Sequence, residues 1–365
     1  PPLAAARLHV APARSLIALP SPPDIAAKPL SVLSCRLHKP LYRIDAILRA
    51  WAEGRPLDSG VDRPECYFPA AIREALPELT EELRGLARLR SEHPGSDGSA
   101  RLLLELRDGQ LVESVRLLRD GVCVSSQVGC AVGCVFCMTG KEGLIRQITS
   151  GEIVAQVALA RRTRAVKKVV FMGMGEPAHN LDHVVEAIQM LGTVGNIAHK
   201  NLVFSTVGDP RVFERLPQER VKPALALSLH TSKADLRAEL LPRAPRMTPE
   251  ELVEAGERYA RAVDYPIQYQ WTLIEGVNDG PDEIEGIVRL LQGKYAIMNM
   301  IPYNTVPELG FRRPAWEKAA EIARPLHRRH ILTKLRNSAG QEVEVMCTFV
   351  MNAAKTNLRQ RVGYF

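Results

Sequence analysis

The stretch CVSSQVGCAVGCVFCMTG, from Cys123 to Gly140, divides the chain into two parts of different character. It holds four of the seven cysteines in 365 residues. Three of them, Cys130, Cys134 and Cys137, stand at C-x3-C-x2-C spacing, and Cys123 lies seven residues upstream of the first. Beyond this stretch short apolar runs recur: KKVVFMGM, NLVFSTVG, ALALSLH, IQYQWTLI, AIMNMIPYN and HILTKLR. Amphipathic stretches such as GEIVAQVALARR and LDHVVEAIQML separate them. In TPEELVEAGERYARAV, Thr248 is placed to cap a helix, Pro249 to start it and Glu251 to close a capping box. Strand–helix alternation over roughly 220 residues implies a parallel sheet, open or curled into a barrel. Ligands of such sheets gather at the C-terminal ends of the strands. Polar residues follow the apolar runs at those ends: Gly173, Gly175 and Glu176; Ser205 and Thr206; Ser228 and His230; Asn304.

Upstream the patterns differ. YRIDAILRAWAEG reads as a helix, and AAIREALPELTEELRGLARL as further helix interrupted by Pro77. HPGSDGS, 93–99, has loop composition, and ARLLLELRDG and QLVESVRLLRDG form a hairpin around Asp-Gly. The first thirty residues are rich in Ala and Pro with one acid, Asp24. They read as a disordered or targeting-like N-terminus.

Composition excludes several classes. Apolar residues at 46% and charged at 24% are ordinary for a globular protein. No window reaches the ~18 uninterrupted apolar residues of a membrane span, and the expected location is the cytoplasm. An odd cysteine count in a long chain is unlike a secreted disulfide framework and closer to metal or redox chemistry. A net charge of +7 permits a nucleic-acid partner without demonstrating one.

Three thiolates can hold three irons of a cubane and leave the fourth open; a ferredoxin-type carrier would want a fourth cysteine nearby. Zinc is the alternative, but no histidine lies in or just after the motif, and paired C-x2-4-C knuckles are missing. With Phe136 before the last cysteine, the motif resembles the radical S-adenosylmethionine superfamily. Within it, VCVSSQVGC…GCVFCMTG, GMGEPAHN, STVG, SLH, IEGVND and RNSAGQ, in this order, resemble the RlmN/Cfr family of RNA adenine methyltransferases. The likeness runs over about 96–347.

The resemblance implies a partial (βα)6 barrel in the α/β class, a 4Fe-4S cluster on Cys130, Cys134 and Cys137, and S-adenosyl-L-methionine on its open iron. It implies cofactor contacts from Gly175, Glu176, Ser205, Ser228, Leu229, His230 and Asn304. From the residues alone, Ser205 and Ser228 could equally cap helices, and His230 could be a core histidine. By the same likeness Cys347 carries a methyl group as a thioether, and Cys123 releases the product by forming a disulfide with it. Glu113 takes the proton; by spacing alone it reads as a solvated strand glutamate. The setting of Cys347, VMCTFVM, is more apolar than the family pattern. Cys35 and Cys66 fall outside the motifs and read as packing residues.

The implied reaction is methylation of adenine carbon 2 in large-subunit ribosomal RNA, with transfer RNA as a second substrate. Carbon-8 methylation conferring antibiotic resistance, and an iron–sulfur RNA-binding paralogue without catalysis, are the alternatives. An external electron donor such as flavodoxin or ferredoxin is expected, with the protein acting as a monomer. Basic clusters at Arg161, Arg162, Arg164, Lys167 and Lys168, at Arg312 and Arg313, at Arg324, Arg328, Arg329, Lys334 and Arg336, and at Arg359 and Arg361 read as solvated faces or phosphate contacts. Aromatics, at 5%, give no stacking platform. The expected organisation is an N-terminal segment (1–30), a helical accessory domain (31–93), a β-hairpin extension (94–122), the barrel (123–350) and a basic tail (351–365).

Overall fold

The computed structural model describes residues 41–336. Helix α1 (Leu41–Ala52), a single turn at Pro64–Tyr67 and α2 (Ala70–Arg84) come first. Helix α2 continues through Pro77 instead of being interrupted by it. Buried Ile72 and Leu83, on either side, anchor it and offset the lost backbone hydrogen bond. The helix then stops earlier than its pattern suggests, because Ala87–Pro94 is a strand, β1. That strand pairs antiparallel with β2 (Ala100–Leu106), which pairs antiparallel with β3 (Leu111–Leu117). The expected hairpin is therefore a three-stranded ribbon, and the loop before β2 shrinks to 95–99. ARLRSEHP has no strong periodicity of its own, so the ladder to β2 decides its state.

Strand β4 (Gly121–Cys123) is the join. It pairs antiparallel with β3 on one side and parallel with β7 (Lys168–Phe171) on the other. Between them, β5 (Gln127–Gly129) and β6 (Leu144–Gln147) form a separate small sheet around the cysteine loop, followed by α3 (Ser150–Arg161). After β7 come α4 (Leu181–Gly192), β8 (Leu202–Thr206), α5 (Pro210–Arg215), β9 (Ala224–Ser228) and α6 (Ala234–Leu240). Then follow α7 (Pro249–Val263), β10 (Ile267–Leu273), α8 (Pro281–Leu291), β11 (Ala296–Pro302), α9 (Trp316–Arg328) and β12 (Thr333–Leu335). The capping box of α7 forms as its sequence indicates.

Ribbon and parallel strands make one ten-stranded sheet, ordered β1-β2-β3-β4-β7-β8-β9-β10-β11-β12. From β4 onward each strand pairs parallel with the next, which is the partial barrel, with β12 as a seventh strand after the expected six. A flat sheet would separate β7 from β12 by roughly 24 Å. Lys168 on β7 nevertheless feels Lys334 and Arg336 from β12 and its edge, so the sheet curls.

The ladders sort residues by face. Phe171, Phe204, Leu225, Leu227, Tyr269, Trp271, Met298 and Met300 point outward and form the main core with the helices. A smaller inner cluster is Val115, Cys123, Val170, Val203, Ala224 and Ala226. The apolar part of the inner wall is thus made mostly of small residues.

Candidate active site

The cysteine loop folds tightly on itself. A Cβ on Gly140 would come within 2.7 Å of Gly133 Cα, so only glycine allows this closure. The Val135 amide donates to Leu240 O (3.1 Å), tying the loop to α6. Cys130 is buried, and Cys134 and Cys137 are half-buried. Burial raises the Cys130 thiol to about 11, and the nearby Cys137 and Glu176 add to the effect. Cys134 is raised well above its usual range by burial, then by Cys137, Cys130 and Glu176. Crowding three potential thiolates and a carboxyl in an apolar pocket is costly unless a positively charged centre shares the site. Among the described residues no three His, Cys, Asp or Glu side chains converge as a single-ion site. A cubane needs no such convergence, because each thiolate binds a separate iron. The donor set fits such a cluster.

GMGEP leaves the end of β7 beside this loop. Gly175 has φ of 100°, and a Cβ there would lie 2.5 Å from Gln127 Cβ. The backbone can therefore press against SSQVG only as glycine. The Glu176 amide donates to Gln127 Oε1 (2.7 Å). The Glu176 carboxylate accepts from the amides of Ala178 and Val207, both at 3.1 Å. Burial still raises it to about 7, against those hydrogen bonds and one from Thr206. Ser125 completes the joint: its Oγ donates to Glu113 O (2.5 Å) and accepts from the Met174 amide (2.8 Å).

At the end of β9, Leu229 is fully buried and His230 adopts a left-handed φ of 61°. Such strain in a non-glycine residue collects at functional sites. His230 Nδ1 accepts from the Thr272 amide (3.1 Å), which leaves its proton on Nε2. Burial, and then Arg237, depress the imidazole to about 3, so it is neutral at physiological pH. Its ring meets Phe136 edge to face, with centroids 5.0 Å apart. The aromatic of the cysteine motif thus packs directly on SLH. Asn278 explains IEGVND: its Nδ2 donates to His230 O (2.6 Å) and Thr272 O (2.8 Å), and its Oδ1 accepts from the Ile274 amide (2.8 Å). Neither Ser205 nor Ser228 is a helix cap, since each lies within its strand. Asn304 lies past β11, where its Oδ1 accepts from Arg313 (3.2 Å).

Glu113 is not a solvated strand residue. It is 0% exposed on β3, and among the described residues neither carboxylate oxygen has a hydrogen-bond partner. Burial raises it to about 8, with Arg101 pulling the other way. Val115, two residues along, pairs with Cys123, so Glu113 and Cys123 face the same chamber. Burial raises the Cys123 thiol to about 12, with the Met172 backbone opposing. Cys347 lies outside the described residues, as do Cys35, Arg359 and Arg361.

Two further readings are corrected. Cys66 is exposed and so is not a core packing residue. Arg161 is no phosphate contact, because its guanidinium donates to Ala52 O and Gly195 O (both 2.9 Å) and to Val166 O. In the other clusters Arg329 is paired with Glu285 and Arg312 with Glu275.

Sequence reasoning missed Arg237, Gln127 and Glu283. Arg237 is 3% exposed and donates to Val207 O (2.5 Å) and Ser228 O (3.0 Å), clamping two strand ends together. Glu283 on α8 accepts from Thr231 Oγ1 and Ser232 Oγ (both 2.5 Å), anchoring the loop after SLH. No local signal marks Arg237 and Glu283, since ADLRAEL and PDEIEG read as ordinary helix starts, whereas Gln127 stands inside the motif VCVSSQVGC.

Comparison with known proteins follows the same lines. The profile of the radical SAM superfamily matches residues 124–291. A probable RNA methyltransferase of Leptothrix cholodnii is 73% identical over 301 residues, 82% of this chain and 87% of its own. A probable RNA methyltransferase of Pseudomonas aeruginosa is 65% identical over 311 residues, 85% of this chain and 90% of its own. The crystal structure of a radical SAM methyltransferase from Sphaerobacter thermophilus superposes with a TM-score of 0.76 at 34% identity, covering 88% of this chain and 97% of that one.

Proposed function

Because the chain belongs to the radical S-adenosylmethionine superfamily, and within it to the RlmN/Cfr family, we propose that it methylates carbon 2 of an adenine in RNA. Large-subunit ribosomal RNA is the substrate, with transfer RNA as a second one. The RNA substrate class is taken from the names of the relatives. The carrying observation is the chamber that holds Glu113 and Cys123 together, a buried carboxyl and a buried thiol on adjacent strands.

Cys130, Cys134 and Cys137 would hold the cluster, and Glu176, Ser205, Ser228, His230 and Asn304 would line the cofactor site. Bound there, cluster and S-adenosylmethionine supply a hydrogen-abstracting radical and the methyl group. The chain's own residues do the rest. Gly175 lets backbone carbonyls approach the cofactor's amino group. Glu176, held by two amides, offers negative charge to that ammonium. Neutral His230 can donate from Nε2 without adding charge.

Cys347 carries the one-carbon unit to the base. Glu113 accepts the carbon-2 proton while the unpaired electron left by radical addition would pass back to the cluster, and an affinity near neutrality suits a general base. Cys123 Sγ then bonds to Cys347 Sγ, and the bond from Cys347 Sγ to the product carbon breaks. That carbon takes the electron pair and a proton and becomes the methyl group. The flavodoxin- or ferredoxin-type donor serves the cluster, and a dithiol reductant reopens the disulfide. The test is methyl transfer from labelled S-adenosylmethionine to RNA, followed by nucleoside analysis: 2-methyladenosine is expected, and label on carbon 8 or on another base refutes the assignment.

A further inference from the structure

An inward-facing amide on β11 has no partner among the described residues. Asn299 lies mid-strand in β11 and is 0% exposed, yet among the described residues neither Nδ2 nor Oδ1 has a hydrogen-bond partner. A primary amide withdrawn from water and left unpaired costs stability. The ladders fix its direction. Asn299 is in register with Gln270 of β10 and Lys334 of β12, and Gln270 with Ser228. Its neighbours Met298 and Met300 belong instead to the core under the helices. The methionines are explained by packing, and the amide faces the chamber unexplained.

Resting on the adenine reading above, we propose that Asn299 determines specificity by reading one edge of the target adenine, Nδ2 donating to N7 and Oδ1 accepting from the N6 amine. An amide presents one donor and one acceptor side by side, the complement of that edge. Guanine presents two acceptors there and would leave Oδ1 facing an oxygen. The same pair could be made to N1 and N6, but N1 borders carbon 2, and that grip would cover the reacting atom. The N6/N7 edge instead covers carbon 8 and leaves carbon 2 free on the far side of the ring. Charge supports a nucleotide here. Burial, then Arg336 and Lys334, depress the Lys168 ammonium, so three cations share the curl of the sheet, suited to a phosphate backbone.

The cofactor's own adenine has the same edge. Asn299 lies inside its strand, five residues before Asn304 and level with Ser228 through Gln270, so the 7-deaza change in the RNA and the S-adenosylmethionine affinity are the two readouts that separate target base from cofactor.

The experiment uses the full chain with reconstituted cluster and an RNA fragment carrying adenosine or 7-deazaadenosine at the target position. Wild type is expected to lose roughly 10- to 100-fold in kcat/KM on 7-deazaadenosine. Asn299→Leu is expected to lose a similar factor on adenosine and nothing further on 7-deazaadenosine, with S-adenosylmethionine affinity and RNA-independent 5′-deoxyadenosine formation unchanged. Indifference of wild type to the 7-deaza change overturns the proposal even if Asn299→Leu misfolds. Additive losses in the variant overturn it too. A fall in S-adenosylmethionine affinity alone assigns the amide to the cofactor and overturns the target-base reading. Methyl appearing on no adenosine with wild type refutes the function itself, whereas normal adenosine methylation with an indifferent Asn299→Leu refutes only the edge contact.

Discussion

The two faces of the sheet from β7 to β11 are built to opposite rules. The outer face carries Phe171, Phe204, Tyr269 and Trp271, all at most 1% exposed and packed under helices. The inner face at matching registers carries Val170, Ser205, Ala226, Ser228, Gln270 and Asn299. A fully packed barrel fills its interior with bulky branched side chains. Here the apolar bulk sits on one side and the small and polar residues on the other. The outer face holds the fold together, and the inner face leaves room and unpaired polar atoms for ligands.

Four substitutions test that division. Cys123→Ala, on the inner face, should abolish multiple turnover and leave a covalent protein–RNA species visible on a denaturing gel, with the melting temperature nearly unchanged; normal turnover would remove Cys123 from the chemistry. Trp271→Ala, on the outer face, should cost about 3–5 kcal/mol of stability in denaturant titration. If the folded fraction of that variant is also inactive per mole, the faces are not separable.

Glu113→Gln should lower kcat by at least about 100-fold. It should also abolish a rising limb in the pH–rate profile near the wild-type value of about 8. The sign in stability is opposite. A carboxyl raised from 4.5 to about 8 on folding holds a proton that the unfolded chain releases. Wild-type stability should therefore fall as pH rises through that window, and the variant should lose this slope. Smallest is Thr248→Ala, which removes the side-chain cap of α7 at 3.1 Å from the Glu251 amide. About 1 kcal/mol should be lost with kcat untouched.

Much of this was legible in the sequence. The strand–helix alternation, the α7 capping box and the crowded cysteines are local patterns, and local patterns survive folding. The α2–β1 boundary was not, because ARLRSEHP becomes a strand only through its ladder to β2. Glu113 shows the same limit at the site. LVESV looks like a half-solvated strand, and only the neighbouring strands make that carboxyl buried and unpaired. Arg237 acts through the carbonyls of Val207 and Ser228 and Asn278 reaches His230 O, distant partners that no spacing rule reveals.

The sequence by itself determined the chemistry on offer: three thiols at cluster spacing, a fourth nearby, glycines that let GMGEP turn, and parallel-sheet periodicity. Those features depend on residue type and short separations. Only the tertiary structure decided which groups are protonated, which are unpaired and which share a chamber. Burial, hydrogen bonding and the register of β3, β4 and β7–β12 depend on residues far apart in the chain. That is why Glu113, Cys123 and Asn299 acquire their meaning only once the sheet has curled.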